Sequence, residues 1–339
     1  MQRFSPKRVF IEPDAMKYPL GQSLHQHFVQ EDISVSILPD HNRVTQIPGK
    51  TDKEKYIQAK QSLVVSIRRS LKFQSCKPSA HYQLPLVTSC PGLCEYCYLQ
   101  TTLGPKPALR IYVNIADILA QAERHINEKS PDITIFEGAA TSDPIPVEYL
   151  TGSLKATIEF FGHRELGRFR FVTKYADIDS LLDADHRNHT EIRFSLNTNH
   201  VITRYEKGTS SIQKRLNAAK KVATAGYPIG FLLAPIITYE KWQTEYTQLI
   251  KDLAQILPRE VTPSFELITH RFTARAKTNI LKVFPQSTLP LDESERKFKY
   301  GQFGYGKYIY PNETMDEIKT LFFSQLGAHF PNSKIAYLV

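Results

Sequence analysis

Cysteine is scarce in this 339-residue chain, and long hydrophobic runs are absent. Only four cysteines occur, Cys76, Cys90, Cys94 and Cys97, and three of them fall within eight residues. Such crowding points to a metal centre rather than to disulfides. The longest apolar run, 229–237, is nine residues broken by Gly230 and Pro235, whereas a bilayer span needs about 20. No transmembrane helix and no membrane partner are therefore expected. The opening MQRFSPKRVFIEPD lacks the continuous apolar segment of a secretory signal, so a cytoplasmic protein is expected. No internal repeat and no low-complexity segment is visible.

What is there suits a folded globular protein. Hydrophobic residues make up 41% and charged residues 23%, which excludes disordered, collagenous and coiled-coil chains. At roughly 150 residues per domain the length allows about two domains, or one α/β barrel with additions. Lys and Arg outnumber Asp and Glu by 43 to 34, for a net charge of +9. That excess suits a polyanionic partner such as nucleic acid; simple solubility satisfies it equally well.

Residues 1–76 read as a small N-terminal α/β subdomain, with a strand over Lys7–Ile11. In the basic segment Lys53–Lys72, Ile57, Val64, Ile67 and Leu71 recur at helical spacing, which predicts one helix with a basic outer face. From about residue 80 strand-like runs alternate with helix-length amphipathic segments, the rhythm of βα units around a parallel sheet. The predicted strands are 81–87, 132–138, 169–174, 191–197, 229–236 and 264–269. Six units are too few for an eight-unit barrel, so 77–339 is expected to form a partial (β/α)6 TIM-like barrel. Within it, 296–310 (RKFKYGQFGYGKYIY) carries four basic residues, six aromatics and no acid. It reads as a C-terminal β-hairpin. Lys297 and Lys299 suit phosphate contact and Tyr305 suits insertion beside a displaced base; the same hairpin would also serve to close one end of the barrel.

The sequence is most specific at Cys90-Pro-Gly-Leu-Cys94-Glu-Tyr-Cys97, a C-x3-C-x2-C loop directly after the first predicted barrel strand. A structural zinc site takes four closed ligands, and no second half with zinc-ligand spacing lies downstream. A four-iron cluster held by three thiolates leaves one iron free for a further ligand. With aromatic Tyr96 before the last cysteine, the loop resembles the signature of the radical S-adenosylmethionine superfamily. Longer stretches, 89–100 (SCPGLCEYCYLQ), 171–175 (FVTKY), 193–197 (RFSLN), 266–272 (ELITHRF) and 301–308 (GQFGYGKY), are similar to the spore photoproduct lyase family over essentially the whole chain.

That resemblance implies a radical carbon–carbon lyase of DNA repair, reversing 5-thyminyl-5,6-dihydrothymine in double-stranded DNA of the spore core. It implies a [4Fe-4S] cluster on Cys90, Cys94 and Cys97, S-adenosylmethionine as cofactor, and a one-electron donor. Barrel active sites lie at the carboxyl ends of strands, and several polar residues fall there. Ser142 and Asp143 follow the second strand, as site residues or as ordinary helix-capping groups. Lys174 suits a methionyl carboxylate, and Ser195 and Asn197 suit the ribose and amino ends of the cofactor. Ala234 offers backbone contacts and packing to the adenine, or core packing alone. Tyr96 and Tyr98 are implied as hydrogen-atom relays, Tyr98 on the substrate side, although both rings would also serve to pack the loop and Tyr96 equally suits packing against the adenine. Glu266, His270 and Arg271 are expected to line the substrate cavity. At Ala140 the chain departs from the family, which carries there the cysteine that returns a hydrogen atom to the thymine radical. Either that last step is impaired or another group performs it. Cys76 reads as a buried free cysteine.

Overall fold

In Gly167–Thr173 and Thr190–Leu196 large apolar residues occupy alternate positions: Phe169 and Phe171 in the first, Ile192, Phe194 and Leu196 in the second. Successive side chains of a strand point to opposite faces, so these pack outward beneath helices. Phe169, for example, stacks on Phe161 of the helix Ser153–Gly162 at 5.5 Å. The same parity turns Arg170, Glu191, Arg193 and Ser195 to the inner face. A charged, concave interior under an apolar outer layer follows from the alternation alone.

The computed structural model describes residues 3–39, 44, 46–300, 304 and 306–339. All six predicted barrel strands form one sheet in chain order: Ala80–Gln83, Thr134–Glu137, Gly167–Thr173, Thr190–Leu196, Ile229–Ile236 and Ser264–Thr269. Their pairings are parallel, as βα units require. Two strands were not predicted. Lys334–Leu338 adds in parallel beyond Ser264–Thr269, and Ser75–Cys76 forms an antiparallel edge against Ala80–Gln83. Both are short or half-exposed, which removes the apolar run that marks a buried strand. The sheet is a curled half-barrel with a carboxyl-end rim. No helix of the described residues is long and apolar enough to cross a membrane.

The N-terminal region does form an α/β layer, but the helix expected over Lys53–Lys72 ends at Lys60. A capping box at its start, with Thr51 accepting from the Glu54 amide and Glu54 reaching back, fixes Asp52–Lys60. The next residues, Ser62–Ser66 (SLVVS), form a strand buried at every position. A short, fully buried β-branched run imitates helical spacing when read with its neighbours, which explains the misreading. This strand lies between Arg8–Ile11 and Leu109–Tyr112 in a five-stranded sheet. Because Leu109–Tyr112 and Val87–Thr88 come from beyond residue 77, the two layers are woven together around the cysteine loop.

The hairpin forms as read, with Lys297–Tyr300 pairing antiparallel to Gly306–Ile309. Gly306 is required there, since a Cβ would lie 2.0 Å from the Phe298 ring. The hairpin is tied to the barrel rim by paired backbone bonds between Phe272 and Tyr308, 2.8 and 3.2 Å, and by stacking of the two rings. Tyr305, the expected wedge, lies outside the described residues.

Candidate functional site

The cysteine loop leaves the barrel rim through Ser89, whose φ of +68° turns the chain sharply. Ser89 N–H donates to the Thr141 carbonyl at 2.9 Å and its hydroxyl to the Pro107 carbonyl at 2.8 Å, so the loop is bolted to the turn after the second barrel strand. Farther along, Leu93–Cys94 pairs with Glu206–Lys207, and Glu95 N–H donates to the Tyr205 carbonyl. Gly92 permits the close fit: a Cβ would meet the Tyr175 hydroxyl at 3.0 Å and the Cys90 sulfur at 3.6 Å. The three cysteines thus sit on one rigid loop at the carboxyl ends of the strands. Burial first pushes the Cys90 and Cys94 thiols up, opposed by Lys60 at Cys90 and by Lys174 at Cys94. Among the described residues no three His, Cys, Asp or Glu side chains close on a single-ion site.

A charge network missed in the sequence supports the loop. Glu206 is fully buried; burial works to raise its carboxyl, yet Arg215 and Lys174 prevail and hold it at about 2. Arg215 donates to it at 2.5 Å and Lys174 at 2.8 Å. The Tyr96 hydroxyl donates to the same carboxylate and accepts from Lys174, whose ammonium lies 4.8 Å from the Tyr96 ring centre. Two of the three ammonium donors of Lys174 are therefore engaged and one remains. No local motif marked Glu206 or Arg215, because their meeting is a product of the fold.

The other expected cofactor residues divide in two. Ser142 is half-buried with a buried hydroxyl lacking a protein partner, and Ser195 uses its hydroxyl only to donate to the Ala234 carbonyl at 3.3 Å. Asp143 is spent on structure. It accepts from Thr173 at 2.9 Å, the Lys174 amide at 2.8 Å and the Ile145 amide at 3.3 Å, and burial raises it to about 6. Asn197 likewise donates to the Pro235 carbonyl at 2.7 Å and accepts from Thr198 N–H and the Tyr246 hydroxyl.

Tyr98 points away from Tyr96, although only Cys97 separates them. Its hydroxyl donates to the Ala140 carbonyl, and 57% of the residue is exposed to the open half-barrel. Even so, its phenol is raised, first by the desolvating barrel walls and then by Cys97, Cys76, Glu137 and Cys90. A cavity of about 130 Å³ opens against Ala140, Thr141 and Ser142 and reaches Gln74, beside the edge strand Ser75–Cys76.

Cys76 corrects the sequence reading. It is half-buried on an edge strand rather than packed in a core, and its surroundings are charged. Burial pushes its thiol up to about 11, with Glu137 and Glu266 adding to the rise and Arg193 and Arg170 opposing it. These charges form an inner network. Arg193 spans Glu137 and Glu266, bonding Glu266 at 2.8 Å, while Arg170 reaches Glu266 directly and lies 3.6 Å from Glu137 and Glu191. Gly230 makes room for this, because a Cβ would meet the Arg193 side chain at 2.9 Å. Glu266 also accepts from the Tyr337 hydroxyl at 2.5 Å. Glu266 is therefore a member of an ion network. His270 is 2% exposed and kept neutral, at about 3, by burial and then by Arg296, which donates to its carbonyl at 3.0 Å. Arg271 is exposed beside the hairpin, on whose outer strand Lys297, Phe298, Lys299 and Tyr300 are all exposed.

The spore photoproduct lyase family profile matches residues 4–339. A curated spore photoproduct lyase of Geobacillus is 49% identical, covering 99% of each chain, and that of Bacillus subtilis is 47% identical, covering 98% of each. One solved structure superposes with a TM-score of 0.96 at 49% identity and full coverage of both chains. It is a spore photoproduct lyase with alanine in place of cysteine at position 140 and cysteine in place of serine at position 76, with bound AdoMet and dinucleoside spore photoproduct. Near-complete coverage, at identities close to one half, shows that this chain belongs to the spore photoproduct lyase family.

Proposed function

We propose that the chain repairs the spore photoproduct in DNA by radical chemistry, opening the methylene bridge of 5-thyminyl-5,6-dihydrothymine to give two thymines. The observation that carries this reading is the rigid C-x3-C-x2-C loop on a half-barrel rim in a chain matching spore photoproduct lyases end to end. The residues fit an iron–sulfur cluster with one open iron: three cysteines share the loop, no fourth ligand closes a single-ion site among the described residues, and a glycine admits the chain at Cys90. Cys90, Cys94 and Cys97 would hold it. Bound there, the cluster supplies the electron that cleaves S-adenosylmethionine and so provides the hydrogen-abstracting 5′-deoxyadenosyl radical.

The remaining donor of Lys174 suits the cofactor's carboxylate, while the unpartnered Ser142 hydroxyl and the Ser195 hydroxyl suit its polar ends. Ala234 contributes through its backbone. Asp143 and Asn197 position these groups, Asp143 by holding the Lys174 amide. Tyr96 orients Lys174 both directly and through Glu206, which makes it a positioning residue more than a relay.

Hydrogen return falls to Cys76. Ala140 has no S–H, and this chain carries the same alanine and cysteine pair as the doubly substituted lyase with bound lesion. The thiol donates a hydrogen atom only while protonated, and burial first, with Glu137 adding to it, keeps it so at neutral pH. In the step proposed, the Cys76 S–H bond breaks homolytically and its hydrogen closes the C–H bond of the thymine radical. Tyr98, which shares that space, would return a hydrogen atom from its O–H to sulfur, and its phenoxyl radical would then recover a hydrogen atom from 5′-deoxyadenosine, which becomes the 5′-deoxyadenosyl radical again. Glu266, His270 and Arg271 shape the lesion side of the cavity, with Glu266 and His270 acting through Arg193 and Arg296. The hairpin lysines Lys297 and Lys299 contact DNA phosphates, and the exposed Phe298 and Tyr300 extend the aromatic surface.

The test is anaerobic reconstitution followed by S-adenosylmethionine, dithionite and lesion-containing DNA. About four irons per chain, 5′-deoxyadenosine and restored thymine are expected. Zinc in place of iron, or turnover of RNA but not of the lesion, would overturn the reading.

A further inference from the structure

Lys60 ends the helix Asp52–Lys60 and is 1% exposed. Its ammonium donates to the Cys90 carbonyl at 2.9 Å and to the Ser89 hydroxyl at 3.3 Å, and lies 5.4 Å from the centre of the Tyr56 ring. Among the described residues no carboxylate pairs with it. A buried ammonium without a counter-ion is costly. The cations on the barrel side of the loop differ, since Lys174 and Arg215 share Glu206.

Tyr56, one helical turn before Lys60, is also 1% exposed; the Gln100 side chain lies beside its hydroxyl, but neither that hydroxyl nor Gln100 Oε1 closes a hydrogen bond of normal geometry. An orphaned buried hydroxyl is rare enough to require an explanation. Its electrostatic neighbours are Cys97, Cys90 and Cys94. Two incomplete groups on one helix, a cation without an anion and a hydroxyl without a closed bond, therefore lie beside the cysteine loop, Lys60 at Cys90 and Tyr56 near all three thiols.

We propose that the helix Asp52–Lys60 forms the outer electrostatic shell of the cluster, with Lys60 as its buried counter-cation and Tyr56 as a donor to its sulfur, together raising the potential at which it accepts an electron. The proposal rests on the cluster reading of Cys90, Cys94 and Cys97. Reduction adds a negative charge to a site already bearing three thiolates, and a fixed cation in a low-dielectric setting stabilises the reduced form more than the oxidised one. It also gives the N-terminal sheet a purpose, because that sheet delivers the helix to the loop.

The experiment is a redox titration of the reconstituted full chain, followed by electron paramagnetic resonance, with iron counted in each sample. Lys60→Met should weaken cluster reduction about tenfold, equivalent to a midpoint about 59 mV lower for one electron. Lys60→Arg should stay near the parent value, and Tyr56→Phe should fall about threefold with full iron content. The rise in melting temperature on cluster loading should also shrink in Lys60→Met. Unchanged midpoints in Lys60→Met and Tyr56→Phe at full iron would overturn the proposal. Should Lys60→Met hold no cluster, the Tyr56→Phe midpoint decides alone, and an unchanged value overturns it. A parent chain that takes up no iron would overturn the cluster reading itself, and the iron count distinguishes that failure from the other.

Discussion

The half-barrel contains two buried ion networks of opposite balance. At the rim, Lys174 and Arg215 surround the single carboxylate of Glu206. Inside, Arg170 and Arg193 are outnumbered by Glu137, Glu191 and Glu266. Counting direct ion pairs alone, the rim has one more cation than carboxylate beside the cysteine loop, where the proposed cluster thiolates and cofactor carboxylate would meet it. The interior has one more carboxylate than cation near Cys76, the hydrogen-atom donor proposed above. Each network sets a basic group against a glutamate beside a sulfur, Lys174 against Glu206 at Cys94 and Arg193 against Glu137 at Cys76, while burial raises both thiols.

The largest effect expected strikes the rim side. Cys94→Ala leaves a loop with two thiols and no spare ligand, and 5′-deoxyadenosine formation should fall by more than roughly 100-fold together with iron content. Cys76→Ala at the interior side should leave both unchanged, which makes the pair a direct measure of the division of labour.

A second break concerns hydrogen return alone. In Cys76→Ala the methylene bridge should still open, but clean thymine should drop several-fold in favour of adducts and re-formed lesion, as read by chromatography of the digested DNA. Adding Ala140→Cys to that variant should restore the yield. Identical product distributions with and without Cys76 would remove it from the reaction.

Removing the anion from the rim network should be the next largest effect. Glu206→Gln strands Arg215 and Lys174 and should cost about 3–5 kcal/mol, measured by denaturant unfolding of the apo-protein. The pH dependence carries the same sign. The Glu206 carboxyl is depressed to about 2, below an unfolded value near 4.3, so its contribution is present above about pH 4 and is lost as pH falls towards 2. His270, held at about 3 against roughly 6.5 when unfolded, adds a loss beginning at higher pH, as the unfolded imidazole protonates. Glu206→Gln should flatten the lower part of that acid limb only.

The smallest effect belongs to the surface. Lys297→Ala with Lys299→Ala should reduce the slope of log affinity against log salt by about 2 without altering iron content. An unchanged slope would move the phosphate contact away from the hairpin.

The sequence by itself determined the half-barrel, the cysteine loop and the hairpin, because each depends on local periodicity or spacing. Ile229–Ile236 and Ser264–Thr269 were legible to the residue, since apolar strands bounded by turns carry their own limits. The Lys53–Lys72 segment was not, because a fully buried strand follows a capped helix there and only the partner strands Arg8–Ile11 and Leu109–Tyr112 explain its burial. Tertiary structure alone decided what the charges do. Glu206 meets Lys174, and Arg193 meets Glu137 and Glu266, across separations of 32, 56 and 73 residues, and no spacing rule spans such distances. It decided, too, that Cys76 faces a carboxylate-rich interior and that Lys60 reaches the cysteine loop. A thiol or an ammonium in a sequence has a chemistry, but its protonation, partner and reach are set by the dielectric and the charges that folding brings to it.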